Sequence, residues 1–115
     1  MDERNIIWID GFLYENQNAK IHILTHSLHY GTAVFEGIRC YKTQKGLAIF
    51  RLQDHLKRLF DSAKIYFMNI EYSMKELEDA IINTIKKNGL DECYIRPLVY
   101  FGHGKMGVYP LNNKV

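Results

Sequence analysis

Cysteine, proline and tryptophan are scarce in this chain. Its two cysteines, Cys40 and Cys93, stand far apart along 115 residues and form no metal-binding spacing. That excludes a disulfide-stapled or zinc-organised fold, and two buried thiols in a reducing cytoplasm is the simplest reading. No internal repeat or low-complexity linker interrupts the chain, which has only two prolines, so a single domain is expected. No apolar run approaches the roughly 20 residues that span a bilayer. The opening residues, Met-Asp-Glu-Arg-Asn, lack the apolar core of a signal peptide. A cytoplasmic protein without membrane contact is therefore expected. Excess charge is missing too: the net charge is +2, and no nucleic-acid surface is indicated.

What is present suits a globular domain, with 47% hydrophobic and 24% charged residues. Residues 6–14 read as a hairpin around Asp10-Gly11, a strong two-residue turn signal. Residues 20–24 alternate polar and apolar and suggest a short strand, followed by a turn or single helical turn over 25–31. A second pair of strands is expected at 34–41 and 47–50. The period then changes to helical: Leu52, Leu56, Leu59, Phe60, Ala63 and Phe67 predict a helix over 52–66. Ser73 and Glu76 form a capping box for a second helix, with Met74, Leu77, Ile81 and Ile85 as its buried stripe and Gly89 as its end. Residues 93–101 read as the last and longest strand. The predicted class is α+β, a mainly antiparallel sheet with two helices on one face.

The segment Thr-His-Ser-Leu-His-Tyr-Gly-Thr-Ala-Val-Phe-Glu-Gly-Ile-Arg-Cys-Tyr, residues 25–41, is the most unusual. Alternation on a strand places Phe35, Gly37, Arg39 and Tyr41 on one face and Glu36, Ile38 and Cys40 on the other. An aromatic wall, a gap and a cation in a row could line a pocket for a small anion. The last strand repeats the pattern. Tyr94, Arg96, Leu98 and Tyr100 share one face, while Cys93, Ile95, Pro97, Val99 and Phe101 form the core face. Pro97 lacks a donor, so the strand is irregular or at an edge there. Alone, Arg96 reads as a surface ion-pair residue; beside Phe35, Gly37 and Arg39 it reads as part of a pocket with two arginines for carboxylates. Arg58 lies at the border of the helical stripe, where it either snorkels or reaches inward.

Gly102-His103-Gly104-Lys105-Met106-Gly107 spells G-x-G-x-x-G after a strand, but no helical pattern follows and Lys105 precedes neither Ser nor Thr. Both nucleotide-binding readings therefore fail. A flexible loop with Met106 and Val108 remains, able to close over a pocket. His22, His26 and His29 lack a completing carboxylate or thiolate and read as hydrogen-bonding residues of a tight turn, not zinc ligands.

Five blocks carry a resemblance: His-Ser-Leu-His-Tyr-Gly (26–31), Val-Phe-Glu-Gly-Ile-Arg (34–39), His-Leu-Lys-Arg-Leu (55–59), Asp-Ser-Ala-Lys (61–64) and Tyr-Ile-Arg-Pro (94–97). In order and spacing they resemble the class IV, or fold type IV, pyridoxal-phosphate aminotransferases, and among these the N-terminal part of the branched-chain type. The resemblance implies that Arg58 binds the phosphate of pyridoxal 5'-phosphate. It implies that Phe35, Gly37 and Arg39 line the substrate pocket, that Tyr94 helps hold the substrate carboxylate and that Arg96 meets the side-chain carboxylate of glutamate. Tyr30 and Val108 would reach the pocket of a neighbouring subunit, making a homodimer the minimal unit. The implied substrates are leucine, isoleucine or valine with 2-oxoglutarate. The Schiff-base lysine and the carboxylate facing the pyridinium belong to a second domain in this family, so residues 1–115 are expected to be an N-terminal domain that is inactive alone. A D-amino acid aminotransferase, an aminodeoxychorismate lyase and a non-catalytic binding module are the alternative readings.

Overall fold

The computed structural model describes residues 5–115. The chain opens with a hairpin, β1 (Ile6–Ile9) and β2 (Phe12–Glu15), as the sequence predicts. Asp10 and Gly11 both take positive φ, 49° and 92°, the geometry that lets a two-residue turn follow the strand twist. Asn88 ties the hairpin to the helical layer. Its side chain accepts from the Ile6 backbone N–H at 2.6 Å and donates to the Ile6 carbonyl at 3.0 Å.

A 3-10 turn (Asn16–Asn18) leads to residues 20–24, which form loop and turn where a strand was expected. Alternation alone does not make a strand: this stretch leaves Ile21, Ile23 and Leu24 exposed, with no ladder to join. A single-turn helix, α1 (His26–Tyr30), follows as expected.

The two long strands of the sequence reading are each broken once. β3 (Ala33–Phe35) and β4 (Ile38–Thr43) are separated by Glu36-Gly37; β6 (Cys93–Ile95) and β7 (Leu98–Tyr100) by Arg96-Pro97. β3 pairs with β7, and β4 lies between β5 (Gly46–Ile49) and β6, all antiparallel. The register runs unchanged through the break: Phe35 faces Leu98 on one side and Ile38 faces Ile95 on the other. One ladder bond survives inside it, from the Glu36 N–H to the Pro97 carbonyl at 3.1 Å. Pro97 has no N–H to return, which opens the ladder at this rung.

Helix α2 (Leu52–Ile65) packs on the inner face of this ladder, and α3 (Met74–Asn88) lies against α2 and the hairpin strand β1. Leu56, Leu59 and Ala63 meet Val34, Val99 and Phe101 in the main core, with Leu77 and Ile81 of α3 at its margin. The capping box of α3 is present, with Ser73 accepting from Glu76 N–H at 3.1 Å. Phe67 departs from the expected helical stripe. It takes φ of 58° beyond the end of α2, and Met68 N–H returns to the Ala63 carbonyl at 2.9 Å. This is a Schellman closure with phenylalanine where glycine is usual. It throws Phe67 outward, 78% exposed, and puts Met68 into the core in its place.

No helix among the described residues is long and apolar enough to cross a membrane.

Candidate active site

The rung at which the ladder opens organises the charged residues. On its outer face, Phe35, Arg39, Tyr94 and Arg96 are exposed, as alternation predicts for both strands. The Arg96 guanidinium lies over the Phe35 ring, 4.3 Å from its centroid, and 5.6 Å from that of Tyr94. Arg39 approaches the Tyr94 ring at 5.6 Å. Arg96 Nε donates to the Glu36 carbonyl at 3.1 Å and Nη2 to the Tyr94 hydroxyl at 3.4 Å. The cation is therefore held in place by this chain's own groups, against an aromatic surface. Gly37 makes this possible: a Cβ there would overlap the Tyr94 hydroxyl. The gap predicted between Phe35 and Arg39 is thus filled by the phenol from the neighbouring strand.

The inner face holds a residue that alternation places opposite Phe35 and Arg39 but to which the sequence assigns no role. Glu36 is 5% exposed, yet it carries a carboxylate. Arg58, from the middle of α2, grips it with two bonds, Nε to Oε2 at 2.8 Å and Nη2 to Oε1 at 2.7 Å. His55, one helical turn earlier, adds Nδ1 at 2.8 Å from Oε1. A buried carboxylate demands such partners, and that demand was the available signal: an acid on a strand's core face opposite a helix that presents His and Arg three residues apart. Arg58 reaches inward with its fork, while its side chain remains 68% exposed. Among the described residues its remaining N–H groups have no partner, and they could meet an oxyanion.

Hydrogen bonding to Arg58 holds the Glu36 carboxyl below its ordinary value of 4.5; burial opposes this, and His55 adds to the lowering. The linkage has a definite sign. The stabilisation is complete above the ordinary carboxylate value and drains away as the pH falls through the lowered one. Thermal unfolding of the protein should show Tm falling in this acid range, and Glu36→Gln should flatten the fall. Equal slopes in both proteins would show that Glu36 does not carry the acid sensitivity.

The three arginines thus converge through shared partners. Arg58 and Arg96 both bind Glu36, by side chain and by main chain, and Arg39 and Arg96 both lie against Tyr94. Tyr30 and Val108 stand apart from this group. Tyr30 precedes the far end of the ladder, where Ala33 faces Tyr100, about 13 Å of strand from Gly37. Tyr30 lies against His26, which bonds the residue before Val108. His26 is 1% exposed, lies 4.8 Å from the Tyr30 ring and donates from Nε2 to the Gly107 carbonyl at 2.6 Å. The loop after β7 is further laced by Gly102 N–H to Lys114 carbonyl at 2.7 Å and Asn113 Nδ2 to Lys105 carbonyl at 2.9 Å. Val108 at its tip is 83% exposed. The other two histidines hydrogen-bond within the turn, as expected, whereas His26 reaches the loop after β7 instead: His22 Nδ1 accepts from Leu24 N–H at 2.9 Å and His29 Nε2 donates to Ile23 carbonyl at 2.7 Å.

A separate cavity of about 210 Å³, lined by Phe67, Asn69, Glu71, Phe101, Leu111 and Asn113 among others, contains none of the candidate residues. The site on the ladder is an open surface of cations and aromatic rings.

Known proteins share this arrangement of elements. Residues 33–115 match the family described as amino-transferase class IV. The branched-chain-amino-acid aminotransferase of Escherichia coli (strain K12) is 49% identical over 104 residues, covering 90% of this chain and 34% of that protein. The enzyme of the same name from Pseudomonas aeruginosa is 48% identical over 114 residues, covering 99% of this chain and 37% of that protein. The chain thus spans little more than a third of the length of these curated relatives. A solved structure of the T. thermophilus branched-chain amino acid aminotransferase, complexed with N-(5'-phosphopyridoxyl)-L-glutamate, superposes with a TM-score of 0.94 at 48% identity, covering 99% of this chain and 39% of that one. With most of its length matched to one family and its fold matched throughout, the chain belongs to the class IV aminotransferases.

Proposed function

We propose that the whole protein is a pyridoxal-phosphate-dependent branched-chain amino acid aminotransferase and that residues 1–115 form its N-terminal domain. The amino group would pass from leucine, isoleucine or valine to 2-oxoglutarate. The observation that carries this reading is the pair of held cations on either side of one opened rung. Arg58 is backed by a buried carboxylate, and Arg96 lies between Phe35 and Tyr94. The branched-chain aminotransferases that resemble the chain, and the phosphopyridoxyl-glutamate bound to the T. thermophilus enzyme, agree with it.

The donor set of Arg58 suits the cofactor. Two of its N–H groups are committed to Glu36, which holds the guanidinium plane and leaves the outer edge for phosphate oxygens. Bound there, pyridoxal 5'-phosphate would supply the electron sink for chemistry at the amino acid's α-carbon. The lysine that binds the cofactor covalently would come from a part of the protein beyond this chain.

This chain's own residues would bind and orient the substrates. Tyr94 offers its phenol to the substrate carboxylate, beside Arg39 and above Gly37. Arg96 resolves the central difficulty of such an enzyme, which must take both an apolar side chain and a carboxylate into one pocket. Its Nε and one Nη2 N–H are held by the Glu36 carbonyl and the Tyr94 hydroxyl, so an apolar substrate strands no unpartnered cation. Its remaining N–H groups can still donate to the glutamate carboxylate. Phe35 gives the apolar wall. Tyr30 and Val108, joined through His26 and Gly107, would serve the pocket of a second subunit in a cytoplasmic homodimer.

The test is a transamination assay of the whole protein with 2-oxoglutarate as acceptor. Leucine, isoleucine and valine should be converted with D-alanine inert. Turnover of D-alanine without leucine would overturn the reading.

A further inference from the structure

We infer that Cys40 and Cys93 form a reversible disulfide site, in which exchange with a small disulfide joins the edge strand β6 to β4.

The two thiols are separated by most of the helical layer in sequence, but they are direct partners in the β4–β6 ladder. The hydrogen-bond pattern gives the kind of rung. The Phe50 N–H donates to the Arg39 carbonyl at 2.9 Å, so Arg39 spends its main-chain groups toward β5 and Cys40 turns its own toward β6. The Glu36–Pro97 bond has the same parity. Cys40 and Cys93 therefore occupy a hydrogen-bonded rung, where Cα atoms sit about 5.5 Å apart. That lies within the separations that disulfides span, and both side chains share the inner face. The Cβ atoms of such a rung are wider than a relaxed disulfide wants, so closure requires β6 to twist toward β4.

β6 is suited to that movement. It is three residues long, lies at the edge of its sheet, and begins at Cys93 directly after the bend at residues 91–92. A bond closed under strain is one that reductants reopen readily. Access is unequal. Cys40 is 2% exposed, with its thiol 4.0 Å from the Asp91 carbonyl, while Cys93 is only partly buried. Cys93 is the group that meets an incoming reagent.

The chemistry balances without a further reactant. The Cys93 thiolate attacks one sulfur of the small disulfide and expels the first small thiolate. Cys40 gives up its proton and attacks the Cys93 sulfur of the mixed disulfide, expelling the second. Two protein thiols are oxidised and one disulfide is reduced to two thiols. Burial, with Cys40 beside it, pushes the Cys93 thiol above its ordinary value. Exchange should therefore be slow at neutral pH and quicken about tenfold per pH unit toward the alkaline side.

The experiment treats the folded whole protein with oxidised glutathione over a pH series, blocks remaining thiols by alkylation, and maps the digest by mass spectrometry. The expected product is a Cys40–Cys93 linked peptide, lighter by two hydrogens and restored by dithiothreitol. Cys40→Ala should trap the glutathione adduct on Cys93, and Cys93→Ala should leave Cys40 unmodified. Persistence of the adduct on Cys93 in the unsubstituted protein, or full alkylation of both thiols at alkaline pH, would overturn the site. These readouts are independent of catalytic activity.

Discussion

Replacing Arg58 by alanine in the whole protein should weaken pyridoxal 5'-phosphate binding by roughly ten- to a hundredfold, the worth of one or two charge-assisted hydrogen bonds. The loss has two sources. The phosphate would lose its cation, and Glu36, 5% exposed, loses two of its three side-chain bonds and keeps only that to His55. Arg58→Lys separates them. A lysine keeps the charge but cannot hold Glu36 and a phosphate with one planar fork. Its affinity should fall between those of alanine and arginine. Titration of the apoprotein with cofactor, read by absorbance, gives the order. Unchanged affinity in Arg58→Ala would place the phosphate elsewhere.

The second large effect belongs to Arg96. Arg96→Ala should lower kcat/KM for glutamate by about tenfold or more, since a charge-assisted pair to the substrate carboxylate is lost. Leucine should be affected less, because on this proposal it would meet Phe35 and the flank of Tyr94 and need no cation. Equal losses for both substrates would show that Arg96 supports the strand break, through its bond to the Glu36 carbonyl, and not the second carboxylate.

Much of this architecture was legible in the residues, and the exceptions have physical reasons. Alternation placed Phe35, Arg39, Tyr94 and Arg96 on outer faces, because the ladder keeps its register through the break. The capping box and the Asp10-Gly11 turn announced themselves, since each satisfies or strains the backbone in a way only a few residues allow. Residues 20–24 misled because pairing partners, not pattern, make a strand. The two breaks were half visible in Gly37 and Pro97, but their alignment on adjacent rungs is a property of register, which a single strand does not display. Glu36 was hidden for the same reason. Its inward position was readable, but its partners came from α2, and only packing brings Arg58 and His55 to it. Cys40 and Cys93 likewise became neighbours only through the β4–β6 register.

The opened rung gathers Arg58, proposed for a phosphate, and Arg96, proposed for a carboxylate, around one residue, Glu36. A crystal structure of the whole protein with N-(5'-phosphopyridoxyl)-L-glutamate decides whether both cations serve those ends. The phosphate is expected on the outer edge of Arg58, with the Glu36 grip intact, and the glutamyl side-chain carboxylate on Arg96. A phosphate bound without Arg58, or a glutamyl carboxylate turned away from the Phe35–Arg96 surface, would refute it.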